Sequence, residues 1–289
     1  MDDPEGGVVT VSTERRRDYT LVGLWIALVV SCVVWALPFV FIVLTSLKST
    51  GEISGGSAWA PPEQWRWDNY PDAADRGDLV TSFGNSLLIA CIKVPLGLLV
   101  SAAAAFALAR LALRWQRAVL LVVTVGAMVP IQVALAPLFT TMSALDLLNS
   151  DLGIILPYLA FGIPYQVFFL HGFFRAIPME LDEAARIDGA SNARLFFRII
   201  LPLAKPALAA LFILDFVATW NEYSIALTLL QDQDTWTVPL ALQGFSSQFT
   251  SSYGQLNAFI VMSILPVLVV YLLFQRYFTQ GALAGAVKG

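Results

Sequence analysis

Apolar residues of this chain are concentrated in six long runs, and most polar residues lie between them. A helix that rises about 1.5 Å per residue needs about 20 residues to cross a hydrocarbon core about 30 Å thick, and each run is long enough. In chain order, the runs cover residues 21–44, 85–109, 118–139, 152–174, 207–230 and 256–278. The pattern predicts an all-α integral membrane protein with six transmembrane helices.

The composition supports a membrane-embedded chain. Hydrophobic residues make up 57% of the 289 residues and charged residues only 13%, which is more apolar than a soluble domain of this length. No small-residue cleavage site follows the first run, so we interpret that run as a retained span. The second run carries a small residue at every fourth position, which predicts close packing on another helix. These residues are Gly97, Ser101, Ala105 and Ala109.

Lys and Arg residues are unequally distributed between the two sides of the predicted membrane. If both termini are cytoplasmic, the external segments carry only Lys48, Arg66 and Arg76, whereas the cytoplasmic segments and span ends carry the other Lys and Arg residues apart from Lys93. Basic residues favour the cytoplasmic side of short connections. We therefore expect a multi-pass chain with both termini in the cytoplasm.

The connection between the fourth and fifth runs has the pattern of a helical hairpin. Pro178 and the acids that follow it suit the start of a helix, and Gly189 suits the left-handed position that stops one. Ser191 or Asn192 can cap a second helix, which we expect to end at Pro202. Ala184 and Ala185 would give the first helix a smooth side for close contact. Such a hairpin is typical either of a surface that docks in a partner's groove or of an amphipathic loop on the membrane.

The sequence of this hairpin resembles the EAA loop of binding-protein-dependent ABC importer permeases. The matching segment, residues 183–206, reads EAARIDGASNARLFFRIILPLAKP. FGNSLLIA at residues 83–90, ALAR at 107–110, WNEY at 220–223 and the C-terminal QRYFTQGALAGAVKG are similar to the carbohydrate-uptake branch, of the maltose-transporter G type. The resemblance covers residues 83–289.

The resemblance implies a type I ABC importer fold in the bacterial plasma (inner) membrane. It implies a second homologous permease, two ATPase subunits that hold ATP and Mg²⁺, and an external solute-binding protein that delivers a sugar; the lipid bilayer surrounds the chain and no nucleic acid is involved. The ATPase would be coupled through the first hairpin helix. The residues that would make this contact are Glu183, Ala184, Ala185, Asp188, Gly189 and Ala190.

The apolar runs and the resemblance together divide the chain into segments. We expect a cytoplasmic tail at residues 1–20, a first transmembrane helix at 21–47, an external loop at 48–81, a permease core at 82–280 that includes the loop 178–206, and a cytoplasmic tail at 281–289. The external loop at residues 231–255 would meet the binding protein. The chain has no GxxxxGK[ST] loop, so we expect no cofactor on it and no enzymatic activity of its own.

Three ionisable residues stand out inside the predicted spans: Lys93, Asp215 and Glu222. Such residues usually face a cavity or a partner, because a charge in hydrocarbon is expensive. We hypothesise that Lys93 pairs with Glu222 at similar depth. In the alternative, Lys93 extends to the membrane surface and Glu222 caps or ties helices. The weaker candidates for a solute pathway are Gln132, Tyr165 and Gln166, for which buried packing is the alternative. Asn221 is a candidate because the family resemblance places it in the central helix bundle.

Other functions stay open at this point. Glycerol phosphate importers are similar to this branch, so the solute class is not limited to sugars. An ion-coupled secondary transporter could use Lys93, Asp215 and Glu222, although the chain has no internal repeat of the kind that such transporters carry. An intramembrane enzyme would need metal ligands or an activated nucleophile, and no such motif occurs.

Overall fold

The computed structural model describes residues 12–57, 59–245 and 252–286, and in these ranges every regular element is helical. The helices, in chain order, are α1 (Ser12–Ser46), α2 (Thr50–Gly55), α3 (Asn69–Arg76), α4 (Leu79–Arg110), α5 (Gln116–Ala127), α6 (Ile131–Ala144), α7 (Asp151–Ala176), α8 (Glu180–Ile187), α9 (Asn192–Leu195), α10 (Leu201–Leu203), α11 (Lys205–Trp220), α12 (Ser224–Leu229), α13 (Val238–Ala241) and α14 (Tyr253–Ala286).

Four helices are long and apolar enough to cross a membrane: α1, α4, α7 and α14. Two further segments pass the same test only as bent pairs. The axis turns by 94° between α5 and α6, and by 74° between residues 192–203 and α11. The described chain therefore has four unbroken spans, or up to six if each bent pair is one span.

The bend between α5 and α6 coincides with a residue that cannot continue a helix. Pro130 has extended backbone before α6 and offers no N–H to the preceding turn. The fifth predicted run is interrupted at residues 221–223, between α11 and α12. The sequence pattern predicted the third run, residues 118–139, and the fifth run as single spans, whereas the structure breaks each of them.

The centre of the molecule is the contact between α4 and α7. Ser101 donates from Oγ to Oε1 of Gln166 at 2.8 Å, and a Cβ added to Gly97 would lie 3.3 Å from Leu159. Ala105 is fully buried in the same face. The small-residue face predicted from the sequence is confirmed, because the missing side-chain volume lets the two backbones approach closely.

Helix α3 ties the end of α1 to the segment that precedes α14. Asn69 donates to the carbonyls of Ser46 and Lys48 at 2.8 and 3.0 Å, and Arg76 donates to Gly244 O at 3.0 Å and to Ser252 Oγ at 2.7 Å. The predicted external loop at residues 48–81 thus contains α2, α3 and the start of α4.

The first and last helices of the chain extend beyond their predicted limits. Helix α1 begins at Ser12, within the expected tail at residues 1–20, and α14 continues through Ala286. Side chains of α1 are exposed from Leu21 to Val40, as befits a surface that faces hydrocarbon. Residues 1–11, 246–251 and 287–289, on which parts of the predicted tails and of the loop 231–255 fall, lie outside the described ranges.

Candidate functional site

The hairpin between α7 and α11 has the predicted order of helix, glycine and helix. Helix α8 ends at Ile187, and Gly189 follows with a φ of +75°. The N–H of Gly189 donates to Arg186 O at 3.0 Å, and the N–H of Ala190 donates to Ala185 O at 2.9 Å. This pair of hydrogen bonds is the Schellman motif, which requires a left-handed residue at the position of Gly189.

Helix α8 has an inner and an outer face. Asp182 and Ala185 are buried against the chain's own core, whereas the outer face is exposed. That face consists of Glu183, Ala184, Arg186, Ile187 and Asp188. The smooth side expected from both alanines is therefore divided, because neighbouring residues of an α-helix point about 100° apart. Of the two alanines, only Ala184 is available to a partner. Ile187, which lies on the same face, is 86% exposed.

The second half of the hairpin differs from its prediction at one end. Ser191 caps it, and its Oγ accepts the N–H of Arg194 at 3.3 Å. The helix does not end at Pro202, because a π-helical turn, Phe196–Ile200, carries it on to Leu203. Wider turns of this kind accommodate positions where an ordinary helical hydrogen bond is lost. The π-turn is fixed on α4 by Phe196, whose ring centroid lies 5.1 Å from that of Phe106.

A buried arginine joins this hairpin to the spans. Arg110, the last residue of α4, donates to Phe174 O at 2.6 Å and to Ile177 O at 2.7 Å. Its Nη1 also lies 3.5 Å from Oδ1 of Asp182. Neither residue was a site candidate from the sequence, where Arg110 entered through membrane orientation and the ALAR resemblance, and Asp182 only as an acid at a helix start.

A second polar site lies inside the membrane-spanning part of the chain. Lys93 Nζ donates to Asp215 Oδ1 at 2.5 Å and to Thr219 Oγ1 at 3.2 Å. The predicted Lys93–Glu222 pair is wrong, and so is the alternative that Lys93 extends to the membrane surface, because Lys93 is only 4% exposed. Asp215, two turns before Glu222, takes the ammonium group.

Glu222 instead holds the break between α11 and α12. Its carboxylate accepts the hydroxyl of Tyr158 at 2.7 Å and the N–H groups of Ile225 and Ala226 at 2.9 and 3.0 Å. The alternative that Glu222 caps and ties helices is thus confirmed. A carboxylate that accepts several backbone N–H bonds is well stabilised at the start of a helix.

The predicted pathway residues are divided among different places. Lys93, Asp215, Glu222 and Tyr165 line one cavity of about 240 Å³, together with Tyr158 and Thr219, which sequence reasoning missed. Gln166 is 1% exposed and belongs to the packing of α4 on α7. Gln132 and Asn221 are exposed outside this cavity. The sequence did carry a signal for both, because Tyr158 lies two helical turns before Tyr165 and Thr219 lies one turn after Asp215.

The cavity presents hydrogen-bonding groups and one carboxylate that no cation faces directly. The Lys93–Asp215 pair is neutral as a unit, whereas the negative charge of Glu222 is stabilised by three neutral donors. Carboxylate oxygens, a threonine hydroxyl and the half-exposed ring of Tyr165 are groups that suit hydroxyl-rich solutes. Among the described residues, no three His, Cys, Asp or Glu side chains cluster as metal ligands.

Comparisons with known proteins point to a single family. Residues 93–283 match the family model described as "binding-protein-dependent transport system inner membrane component". The chain is 36% identical over 270 residues to the diacetylchitobiose uptake system permease protein of Streptomyces coelicolor, with 92% of this chain and 87% of that protein covered. It is 34% identical over 278 residues to the melibiose/raffinose/stachyose import permease protein of Bacillus subtilis, with 96% and 98% covered.

The fold has a counterpart among solved structures. A chain of a bacterial ABC transporter involved in the import of the acidic polysaccharide alginate superposes with a TM-score of 0.74 at 24% identity. The alignment covers 94% of this chain and all of that one. The matched region of the family model includes both the intramembrane cavity and the hairpin between α7 and α11.

Proposed function

Because the chain belongs to the family of binding-protein-dependent transport system inner membrane components, we propose that it is the permease subunit of an ABC importer for a sugar or oligosaccharide. The observation that carries the proposal is the outward face of α8, which a Schellman turn holds at the end of an exposed hairpin. The chain is a transport subunit of the inner membrane, and its curated relatives include permeases for oligosaccharides.

The partner of the hairpin is a separate ATPase that holds ATP and Mg²⁺. Its contact is the outer face of α8 together with Gly189 and Ala190. An 86%-exposed isoleucine on a short helix outside the spans supports this contact, because an apolar anchor with charged neighbours fits a helix-in-groove interface. Two such ATPases and a second permease complete the importer, and both termini of this chain lie in the cytoplasm.

The solute passes beside the cavity of Lys93, Tyr158, Asp215 and Glu222. An external binding protein delivers it near the outer loop that Arg76 anchors. The cavity of about 240 Å³ is small for a whole oligosaccharide, which supports a pathway completed by the second permease. Alternating access then requires the spans to move when the ATPases close.

Reconstitution tests the proposal. The permease pair, its ATPase and its binding protein are placed in liposomes, and uptake of labelled oligosaccharides, monosaccharides and glycerol phosphate is measured with ATP inside. We expect uptake of at least one saccharide that needs both ATP and the binding protein. Uptake by the permease alone, driven by an ion gradient, would contradict it in favour of a secondary transporter.

A further inference from the structure

The ALAR stretch ends α4 with a charged side chain that is completely buried. The exposed fraction of the Arg110 side chain is 0%, and that of Asp182 is 3%. Arginine is rarely buried without compensation, because removal of its charge from water costs several kcal/mol, about the scale of a whole folding margin. The position of Arg110 at the meeting point of three helices therefore calls for a specific role.

The compensation comes from two neighbouring helices. Two carbonyls at the C-terminal end of α7, those of Phe174 and Ile177, accept hydrogen bonds from Nη2. Carbonyls at a helix C-terminus carry partial negative charge and favour a cation there. Nη1 meets the sulfur of Met179, which precedes α8, and faces the carboxylate of Asp182 in the first turn of α8.

Asp182 depends on this arginine. Neither of its carboxylate oxygens makes a hydrogen bond within the described residues, and both are buried. Arg110 is the only cation in the described part of the chain that lies within ion-pair distance of it. Glu180 and Glu183 are exposed acids of the same first turn, and their negative charges favour the positive N-terminus of the helix without any need for burial. The inward position of Asp182 is explained by Arg110 and not by capping.

The pair is a directional connection in a region otherwise held by apolar packing. Ala185, Phe196 and Ile200 contact the core through apolar packing, which is non-directional. The ion pair and the carbonyl hydrogen bonds of Arg110, by contrast, fix one orientation. Helix α4 runs without a break from Arg110 to Lys93, a distance of about 25 Å at 1.5 Å per residue. Helix α7, which Arg110 also holds, carries Tyr158 and Tyr165 of the cavity.

We propose that Arg110 and Asp182 are positioning residues that transmit a displacement of α8 to α4 and α7 together. This inference rests on the proposed function, in which α8 receives the movement of an ATPase. The contact makes the first turn of α8 and the inner ends of two spans one mechanical unit. Closure of the ATPases then moves both walls of the cavity with the hairpin.

The test uses the reconstituted complex with its binding protein and measures solute imported per ATP hydrolysed. Asp182→Asn preserves shape and removes the charge, and Arg110→Lys preserves charge and removes the two-carbonyl contact. We expect either change to lower the solute-to-ATP ratio about five- to tenfold, in the usual range of couplings between sites. The matched controls Glu180→Gln, in the same turn, and Arg117→Gln, an exposed arginine beyond α4, leave the ratio unchanged.

A double-mutant cycle separates coupling from ordinary structural damage. If the two residues act through one contact, the double variant Arg110→Lys/Asp182→Asn has a ratio no lower than the worse single variant. Ratios that multiply, or single variants that keep the wild-type ratio, overturn the inference. If the Asp182→Asn complex does not assemble, Asp182→Glu replaces it. Because this variant keeps the negative charge, we expect its solute-to-ATP ratio to be closer to the wild-type value than that of Arg110→Lys. An equal loss in the two variants overturns the inference.

The outcome for the wild-type complex keeps the two proposals distinguishable. If that complex shows no ATP-dependent uptake, the proposed function itself fails. If it imports solute with ATP while every variant retains the wild-type ratio, only the role of Arg110 and Asp182 fails.

Discussion

At the scale of single residues, the molecule contains a lysine and an aspartate opposite each other inside its spans. An unpaired charge there costs about 2.5 to 3.5 kcal/mol on insertion scales. Lys93 and Asp215 are 5% and 10% exposed in their side chains, and each neutralises the other. The pair joins α4 to α11, so it is a structural connection as well as part of the cavity wall.

The pair gives a prediction about stability. Asp215→Asn leaves the Lys93 ammonium buried without a counter-charge, and we expect destabilisation of about 3 to 5 kcal/mol. Lys93→Met has a similar effect on Asp215, whereas the double variant Lys93→Met/Asp215→Asn is more stable than either single variant. Thermal unfolding of the purified complex measures this.

A second cycle with Glu222 serves as the control. Since Glu222 bonds to Tyr158 and to two backbone N–H groups, the effects of Lys93→Met and Glu222→Gln should add. A rescue of Lys93→Met by Glu222→Gln, but not by Asp215→Asn, would restore the original hypothesis of a Lys93–Glu222 pair.

At the scale of elements, the hairpin depends on one left-handed position. A Cβ added to Gly189 meets nothing within 4 Å, so a substitution there changes backbone energy without a steric clash. Left-handed backbone costs an ordinary residue about 1 to 2 kcal/mol, and asparagine tolerates it better. The orientation of α8 relative to α9 therefore depends on which residue replaces Gly189.

Gly189 gives the corresponding prediction. We expect Gly189→Val to lower ATP-coupled import about fivefold by misorienting α8, in the range of a 1 kcal/mol change. Gly189→Asn should remain near the wild-type rate. Uptake assays on the two variants, at matched amounts in the membrane, check this; equal activity of valine and asparagine variants would show that the turn has no influence on coupling.

Much of this element was predictable, and the reason for the rest is specific. Glycine and serine are local signals, so the turn at Gly189 and the cap at Ser191 followed from the sequence. The direction of Asp182 and Ala185 depends on the core beneath them, which no local pattern encodes. The passage of the helix through Pro202 required a π-turn, and the sequence offered no marker for it.

At the scale of the whole molecule, the contact between α4 and α7 organises both candidate sites. The intramembrane cavity lies between these helices and α11, and Arg110 lies where α4 and α7 end. Four of the six apolar runs are unbroken membrane-length helices in the described chain, and the small residues at every fourth position predicted this contact. The bend within the third run, the interruption of the fifth run at residues 221–223 and the partner of Lys93 depend on tertiary packing and were not predictable from spacing.

This contact gives a prediction with a matched control on the same helix. A Cβ at Gly97 would lie 3.3 Å from Leu159 and 3.4 Å from Gln166, whereas one at Gly84 meets nothing within 4 Å. We expect Gly97→Leu to destabilise the protein by about 1 to 3 kcal/mol through overpacking. Gly84→Leu should be nearly neutral in the same thermal unfolding assay, and comparable losses at both sites would contradict the close approach of α4 and α7.

The exposed helix α1 also bears on how the protein is made. Among the described helices, α1 packs mainly against α14, the last one. During synthesis the first hydrophobic segment therefore enters the bilayer long before its intramolecular neighbour leaves the ribosome. In that interval lipid, or a neighbouring subunit, must solvate its whole circumference. The part of the chain from Leu21 to Leu47 has no charged residue, so it can stay in contact with lipid on all sides during that interval.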